Sequence, residues 1–150
     1  MDLYQPALLG IIKSVGPTSC PNNINLHCHS IYSDGSMEPE DLYLQASHMG
    51  LEHLAITDHH NIRAYNEITT TLLPQLDEDK KHPYLWSGVE ISSLLSNCLV
   101  HILGLGFDHL HKSLRPYING EAAVGSFLSA ESVINAIHDA GGLAILAHPA

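Results

Sequence analysis

The chain has 150 residues, of which 45% are hydrophobic, which is enough to build the core of one domain. Its formal net charge of −10 comes from 6 basic and 16 acidic residues, and no basic stripe with interleaved aromatic side chains could follow a nucleic-acid duplex. The apolar stretch 7–12 is too short for a membrane span and lacks a preceding basic region. We therefore expect neither a duplex-binding surface nor a membrane anchor.

The three cysteines, Cys20, Cys28 and Cys98, are an odd number without C-x-x-C spacing. This pattern favours a reducing compartment, so the sequence predicts a cytoplasmic protein. We expect Cys28 to pack as a small apolar residue on the outer face of its strand.

A predicted strand at 24–26 runs directly into His27, Cys28 and His29. Because residues two apart in a strand point to the same face, His27 and His29 share a face that could hold one metal ion. A lone His-x-His pair is weak evidence, since exposed or core histidines are common. Asp34 lies in the sequence Ser-Asp-Gly-Ser, which by itself is typical of a turn.

The chain-order pattern of helices and strands predicts an α/β fold with mainly parallel strands. We expect helices over 38–49, where Pro39 suits the first turn, over 62–73, and over 130–140, where Ser129 is the expected N-cap. The connection from Glu90 to His101 is too short for a helical crossover and indicates a hairpin. Residues 105–127 show no clear element.

Four later apolar runs each carry a residue of a type that binds metals, and most carry it at the carboxyl end. These residues are Asp58 and His59 after the run 54–57, Glu90 after 85–89, His101 after 99–100, and His148 after 143–147. In barrels of parallel strands, active sites are built at the carboxyl ends of the strands. Glu90 has apolar neighbours, so its carboxylate requires a cation or hydrogen bonds.

Five motifs occur in the order I-N-L-H-C-H-S-I-Y-S-D-G-S, L-A-I-T-D-H, G-V-E-I-S, H-I-L-G-L and L-A-I-L-A-H-P. In combination they resemble the PHP (polymerase and histidinol phosphatase) superfamily from about Asn25 to Ala150. The resemblance implies a distorted (β/α) barrel, which is incomplete here because the family's further Asp-x-His motif does not occur. We thus expect an N-terminal extension at 1–23 and a PHP domain at 24–150.

The resemblance also implies a site for two or three divalent metal ions, with zinc, manganese, iron and magnesium all open. It places His27 and His29 on a first metal, Asp34 and His59 on a second, and His101 and His148 on a third, with Glu90 as a bridging carboxylate. Asp58 would orient a ligand histidine. The predicted catalytic residues are Glu90, His59 and Asp58. His60 and Arg63 are the predicted substrate contacts, with structural roles as their alternatives.

These expectations describe a metal-dependent phosphoesterase that hydrolyses small phosphorylated molecules, nucleotides or oligonucleotide ends through a metal-bound hydroxide. One alternative is a metal-stabilised PHP module with a regulatory rather than catalytic role. A second is an amidohydrolase-type hydrolase, which would need a ligating lysine at a strand end. The four lysines lie elsewhere, at Lys13, Lys80, Lys81 and Lys112.

Overall fold

The computed structural model describes residues 4–149 and shows a mixed α/β fold with two small sheets. In this range the strands are β1 (Ile24–Asn25), β2 (His53–Ala55), β3 (Tyr84–Trp86), β4 (Gly88–Leu95), β5 (Cys98–Leu105) and β6 (Leu143–Leu146). The α-helices are α1 (Tyr4–Lys13), the short α2 (Ser19–Asn22), α3 (Pro39–His48), α4 (Arg63–Glu67) and α5 (Ala130–Asp139).

The first sheet is parallel, with the order β1-β2-β3, as the alternation of helices and strands predicts. Helix α3 connects β1 to β2 and begins with Pro39 in its first turn. Its end is marked by Gly50, whose φ of +76° lies in the left-handed region that favours glycine. The predicted helix over 38–49 is therefore confirmed.

The second sheet is antiparallel, with the order β4-β5-β6. The predicted hairpin is confirmed, and its turn residues Ser96 and Asn97 have φ values of +48° and +65°, which suit a two-residue turn. The parallel pairing expected for the last strand is wrong. Because the hairpin reverses the chain, β6 runs in the direction of β4 but pairs with the outer edge of β5.

The apolar run 85–89 is not one strand, because Ser87 interrupts it and separates β3 from β4. The Ser87 hydroxyl donates to the carbonyl of Phe107 at 2.7 Å. A Cβ at Gly88 would lie 2.9 Å from the carbonyl oxygen of Ile56, so only glycine fits this close approach. After this break, Glu90 forms a parallel bridge with His59, which lies four residues beyond the end of β2.

The helix predicted over 62–73 is present but irregular. It consists of α4, a π-helical turn (Ile68–Leu72) and a 3₁₀ turn (Leu73–Gln75). Three consecutive threonine hydroxyls compete for backbone carbonyls here, as shown by Thr71, which donates to the carbonyl of Glu67 at 2.6 Å. Such bonds weaken the regular helical ladder.

The region 105–127 contains two 3₁₀ helices, Lys112–Tyr117 and Gly125–Leu128, where the sequence predicts no clear element. Helix α5 follows and is confirmed. Its predicted N-cap, Ser129, accepts a hydrogen bond from the backbone N–H of Ser132 at 3.1 Å.

Helix α1 packs against strands of both sheets through Leu8, which is fully buried. Leu8 shares a core cluster with Ala55, Trp86, Leu103, Leu105 and Ala147. The division into an extension at 1–23 and a domain at 24–150 stays a prediction. Within residues 4–149, no helix is both long enough and apolar enough to cross a lipid bilayer.

Candidate metal centre

The carboxylate of Glu90 lies at the centre of a cluster of imidazoles although only 1% of its side chain is exposed. Its Oε2 atom is 2.9 Å from the Nε2 atoms of both His27 and His29 and 3.9 Å from Nε2 of His59. Its Oε1 atom is 3.1 Å from Nδ1 of His101 and 3.0 Å from Nε2 of His148. The structure thus brings the five predicted histidine ligands together around one buried carboxylate.

His27 and His29 follow β1, and their ring centroids are 5.2 Å apart on one side of the backbone. Cys28 points the other way, as the spacing predicts, and its thiol donates to the carbonyl of Ala55 at 3.4 Å. Burial, reinforced by the charge of Asp58, raises the pKa of the Cys28 thiol to about 12. Cys28 is therefore a packing residue and not a ligand.

Asp34 reaches the cluster from a tight loop. Its Oδ1 atom is 3.3 Å from Nδ1 of His29, and its Oδ2 atom is 3.5 Å from Nε2 of His59, while 68% of its side chain is exposed. The loop depends on Gly35, since a Cβ at this position would lie 2.1 Å from the carbonyl oxygen of His29. The two interpretations of Asp34, as a turn residue and as a metal ligand, are therefore compatible, because the tight loop itself brings Asp34 to the histidines.

Asp58 lies below the imidazoles and is 1% exposed. It accepts hydrogen bonds from the backbone N–H of Ser30 at 2.7 Å, from the Ser30 hydroxyl at 2.6 Å and from the Ser33 hydroxyl at 2.7 Å. Ser33 in turn lies 3.3 Å from Nδ1 of His29. Asp58 is therefore linked through Ser33 to His29, a predicted ligand, and this contact fits a positioning role better than a catalytic one.

His101 and His148 approach from the antiparallel sheet. The backbone N–H of Ala147 donates to the carbonyl of His101 at 2.9 Å, which places the two rings 5.3 Å apart. His148 has a φ of +30° and a side chain that is 62% exposed. The Glu90 carboxylate is the close charged partner that the structure gives to both rings.

Three groups of side chains place their donor atoms within 4.8 Å of one another, and these groups are His27 with His29 and Glu90, His29 with Asp34 and His59, and Glu90 with His101 and His148. Nitrogen and carboxylate donors in this arrangement fit divalent metal ions. Burial alone would raise the pKa of Glu90, but hydrogen bonds from His27 and His148 outweigh it and hold the pKa below its ordinary value. Burial lowers the pKa of His29, which favours the neutral imidazole that metals bind.

The two predicted substrate contacts, His60 and Arg63, follow His59 closely in the chain. His60 is only 7% exposed, and its Nε2 atom is 3.1 Å from the Ser92 hydroxyl, so a structural role suits it better. Burial lowers the pKa of His60. Arg63 is exposed, and its guanidinium lies 4.0 Å from the centroid of the Tyr32 ring.

The sequence interpretation missed the residues that hold the ligand loops in place. The Tyr32 hydroxyl donates to the carboxylate of Glu67, and the side-chain amide of Asn61 donates to the carbonyls of Tyr32 at 2.9 Å and His59 at 3.1 Å. The only available signal was the density of serine, aspartate and asparagine after the two strands. Those residue types also occur in ordinary turns.

A model of the PHP domain family matches residues 25–137. The chain belongs to the PHP domain family. This match covers the motifs from the His-x-His pair to α5 and confirms the resemblance drawn from the sequence.

Several curated relatives of this PHP domain are nucleases or phosphatases. A 5'-3' exoribonuclease of Haemophilus influenzae is 30% identical over 80% of this chain and 44% of its own length. The 5'-3' exoribonuclease Rnm of Salmonella typhimurium is 36% identical over 63% of this chain and 31% of its own. A 3',5'-nucleoside bisphosphate phosphatase of Chromobacterium violaceum is 34% identical over 61% and 30%, respectively. The chain thus spans less than half the length of these relatives.

Two crystal structures share the fold. A proposed metal-dependent phosphoesterase from Bifidobacterium adolescentis aligns with a TM-score of 0.66 and 20% identity, over 85% of this chain and 67% of that one. A protein described as an amidohydrolase, from Chromobacterium violaceum, aligns with the same TM-score and coverage at 22% identity. At these identities the likeness concerns the fold.

Proposed function

We propose that this PHP domain is part of a metal-dependent phosphoesterase. The observation that carries the proposal is the placement of five imidazoles and Asp34 around the buried carboxylate of Glu90. A buried carboxylate surrounded by imidazoles is a costly arrangement unless cations balance its charge. The donor set suits two or three divalent ions, with zinc, manganese, iron and magnesium all compatible.

In this proposal, the metals would be held by Glu90, which faces both halves of the cluster, together with His27, His29, Asp34, His59, His101 and His148. When bound, the metals would neutralise the charge of a phosphate ester and make water a stronger nucleophile at neutral pH. The protein's part is to fix the ligands: Glu90 anchors both halves of the cluster, and Asp58 orients His29 through Ser33. No nucleophilic serine or cysteine is required.

The open side of the cluster indicates where substrate would approach. Asp34 is 68% exposed and His148 is 62% exposed, so both ends of the cluster reach solvent. Arg63 remains our proposed contact for a substrate phosphate, since its exposed guanidinium can leave the Tyr32 ring at little cost. The substrate class we propose is a nucleotide or an oligonucleotide end, supported by the names of the curated relatives.

Two further expectations belong to this proposal. We infer that the two sheets are part of a distorted PHP-type barrel, which the similarity to longer relatives supports. We also infer a cytoplasmic location, because Cys20, Cys28 and Cys98 are all unpaired, as expected in a reducing compartment.

Hydrolysis assays on the 150-residue chain test the proposal. Purified protein with added manganese would be given an aryl phosphate monoester, an aryl phosphate diester and a 5'-phosphorylated oligoribonucleotide. We expect hydrolysis of at least one substrate by the wild-type chain and by Glu121→Gln, an exposed control, but not by Glu90→Gln. Metal binding without turnover of any substrate would favour the metal-stabilised regulatory module.

A further inference from the structure

His29 lies between two of the three metal-binding groups. Its Nε2 atom faces Glu90 at 2.9 Å and His27 at 3.2 Å, whereas its Nδ1 atom faces Asp34 at 3.3 Å. A neutral imidazole carries a proton on one nitrogen and offers a lone pair on the other. Distances alone therefore leave open which nitrogen of His29 binds a metal.

The hydroxyl of Ser33 distinguishes the two nitrogens, because Ser33 donates its own proton to Asp58 and can therefore only accept a hydrogen bond from His29. Its Oγ atom is 2.7 Å from Oδ1 of Asp58, and an ionised carboxylate only accepts hydrogen bonds. The Asp34 carboxylate is a poorer acceptor for this proton, at 3.4 Å. Ser33 thus donates to Asp58 and presents an oxygen lone pair to Nδ1 of His29, which is 3.3 Å away.

The position of Asp58 is itself fixed by buried hydrogen bonds. The Ser30 hydroxyl accepts from the backbone N–H of Tyr32 at 3.1 Å, so its proton is free to go to Asp58 at 2.6 Å. The backbone N–H of Ser30 adds a third bond to the same carboxylate. Since Asp58 is 1% exposed, water does not compete for these contacts.

We propose that Ser33 is a positioning residue that keeps the proton on Nδ1 of His29 and leaves Nε2 as the metal-binding atom. Both oxygen neighbours of Nδ1, the Ser33 hydroxyl and the Asp34 carboxylate, are acceptors in this arrangement. The inference rests on the proposed metal centre and extends it to a residue outside the ligand set. Ser33 acts by fixing the tautomer of His29, as hydrogen-bond partners of metal-bound imidazoles commonly do.

One consequence is an order of metal affinity. With Nε2 of His29 committed to the group of His27 and Glu90, the second group keeps only Asp34 and His59. Asp34 is largely exposed, so ordering its side chain around an ion costs more conformational entropy than ordering the buried side chain of Glu90. The first group should therefore fill with zinc before the second.

Nitrogen NMR on zinc-loaded protein tests the proposal directly. Wild-type chain with ¹⁵N-labelled histidine would be loaded with zinc, and the zinc content of the same sample measured by elemental analysis. We expect His29 to show a protonated Nδ1 and a zinc-bound Nε2. Zinc bound through Nδ1 would overturn the role of Ser33 while leaving the metal centre intact. A sample without zinc would overturn the metal centre itself and this inference with it.

Variants of Ser33 give a second, independent readout through zinc competition with a chromophoric chelator. We expect Ser33→Ala to lower the affinity of the tightest zinc site by roughly 10- to 100-fold. Ser33→Thr keeps the hydroxyl and should restore it. Ser36→Ala, in the same loop and exposed, is the matched control. Equal affinities for wild type and Ser33→Ala, with NMR showing the same tautomer, would contradict the proposal.

Discussion

The two halves of the cluster around Glu90 are built differently. The half from the parallel sheet, with His27, His29 and His59, has a second layer of buried hydrogen bonds centred on Asp58. The half from the antiparallel sheet, with His101 and His148, has Glu90 as its close partner and one ring that is 62% exposed. The imidazoles from the parallel sheet are thus positioned by a buried hydrogen-bond network, whereas those from the antiparallel sheet depend on the shared carboxylate of Glu90.

Glu90 is the residue on which both halves depend, so its change should have the largest effect. Glu90→Gln keeps the shape but removes the charge that, in our proposal, balances the metal ions. We expect the bound metal, measured by elemental analysis after dialysis, to fall from two or three ions per chain to essentially none. The exposed Glu121→Gln should keep its metal. Retention of metal by Glu90→Gln would show that metal binding does not depend on the charge of Glu90.

Two cysteines report the difference in packing without any metal, since Cys28 follows β1 of the parallel sheet and Cys98 begins β5 of the antiparallel sheet. With a pKa of about 12, the Cys28 thiol has roughly 1000-fold less thiolate near neutral pH than an ordinary thiol, and it is partly buried. Cys98, next to the turn of the β4-β5 hairpin, is exposed. Iodoacetamide labelling followed by peptide mass spectrometry should therefore modify Cys98 long before Cys28. Similar rates would mean that the strand end between His27 and His29 is not packed as described.

Removing the buried network around Asp58 should selectively weaken metal binding by the half of the cluster that comes from the parallel sheet. Asp58→Asn retains the shape but replaces one of the two acceptor oxygens with an NH2 group, which cannot accept the hydrogen bond made at that position by Ser30 or Ser33. We expect roughly 10- to 100-fold weaker binding of the tightest zinc ion in chelator competition. The exposed Asp139→Asn, at the end of α5, serves as its control. If both variants bind zinc as tightly as wild type, the network does not position the ligands.

The smallest effect on metal binding is expected from a change in the half of the cluster that comes from the antiparallel sheet. His148→Ala removes a side chain that is 62% exposed but also the hydrogen bond that it gives to Glu90, so the free energy of unfolding should fall by roughly 1 kcal/mol. Elemental analysis should nevertheless show the loss of about one metal ion per chain, because His148 belongs to a single group. Loss of all bound metal from this variant would mean that the halves are not separable.

Much of the cluster follows from local rules, and the rest depends on distant contacts. The shared face of His27 and His29 follows from strand alternation, and the hairpin before His101 from its short length. The break at Ser87 was not predictable, because its partner is the carbonyl of Phe107, twenty residues away. Ser30 and Ser33, which donate hydrogen bonds to Asp58, are of a type common in turns. Their role could not be predicted, because only the fold places Asp58, after β2, beside them.

The antiparallel pairing of β6 has the same kind of origin. Its helix-then-strand sequence is typical of a parallel crossover, and only the reversed direction of β5 makes the pairing antiparallel. The π-helical turn at Ile68–Leu72 instead coincides with local contacts, since the hydroxyls of Thr69, Thr70 and Thr71 donate to carbonyls of the preceding turn. The assignment of the site residues as ligands stays a prediction until a metal is seen.

The most direct test is anomalous diffraction from crystals of the chain grown with zinc or manganese, measured on both sides of the metal's absorption edge. The account predicts two or three peaks around Glu90, the first, for zinc, about 2.0–2.1 Å from Nε2 of His27 and Nε2 of His29. Anomalous maps with no peak at Glu90, or with metal bound only elsewhere, would contradict the claim that these side chains form a metal centre.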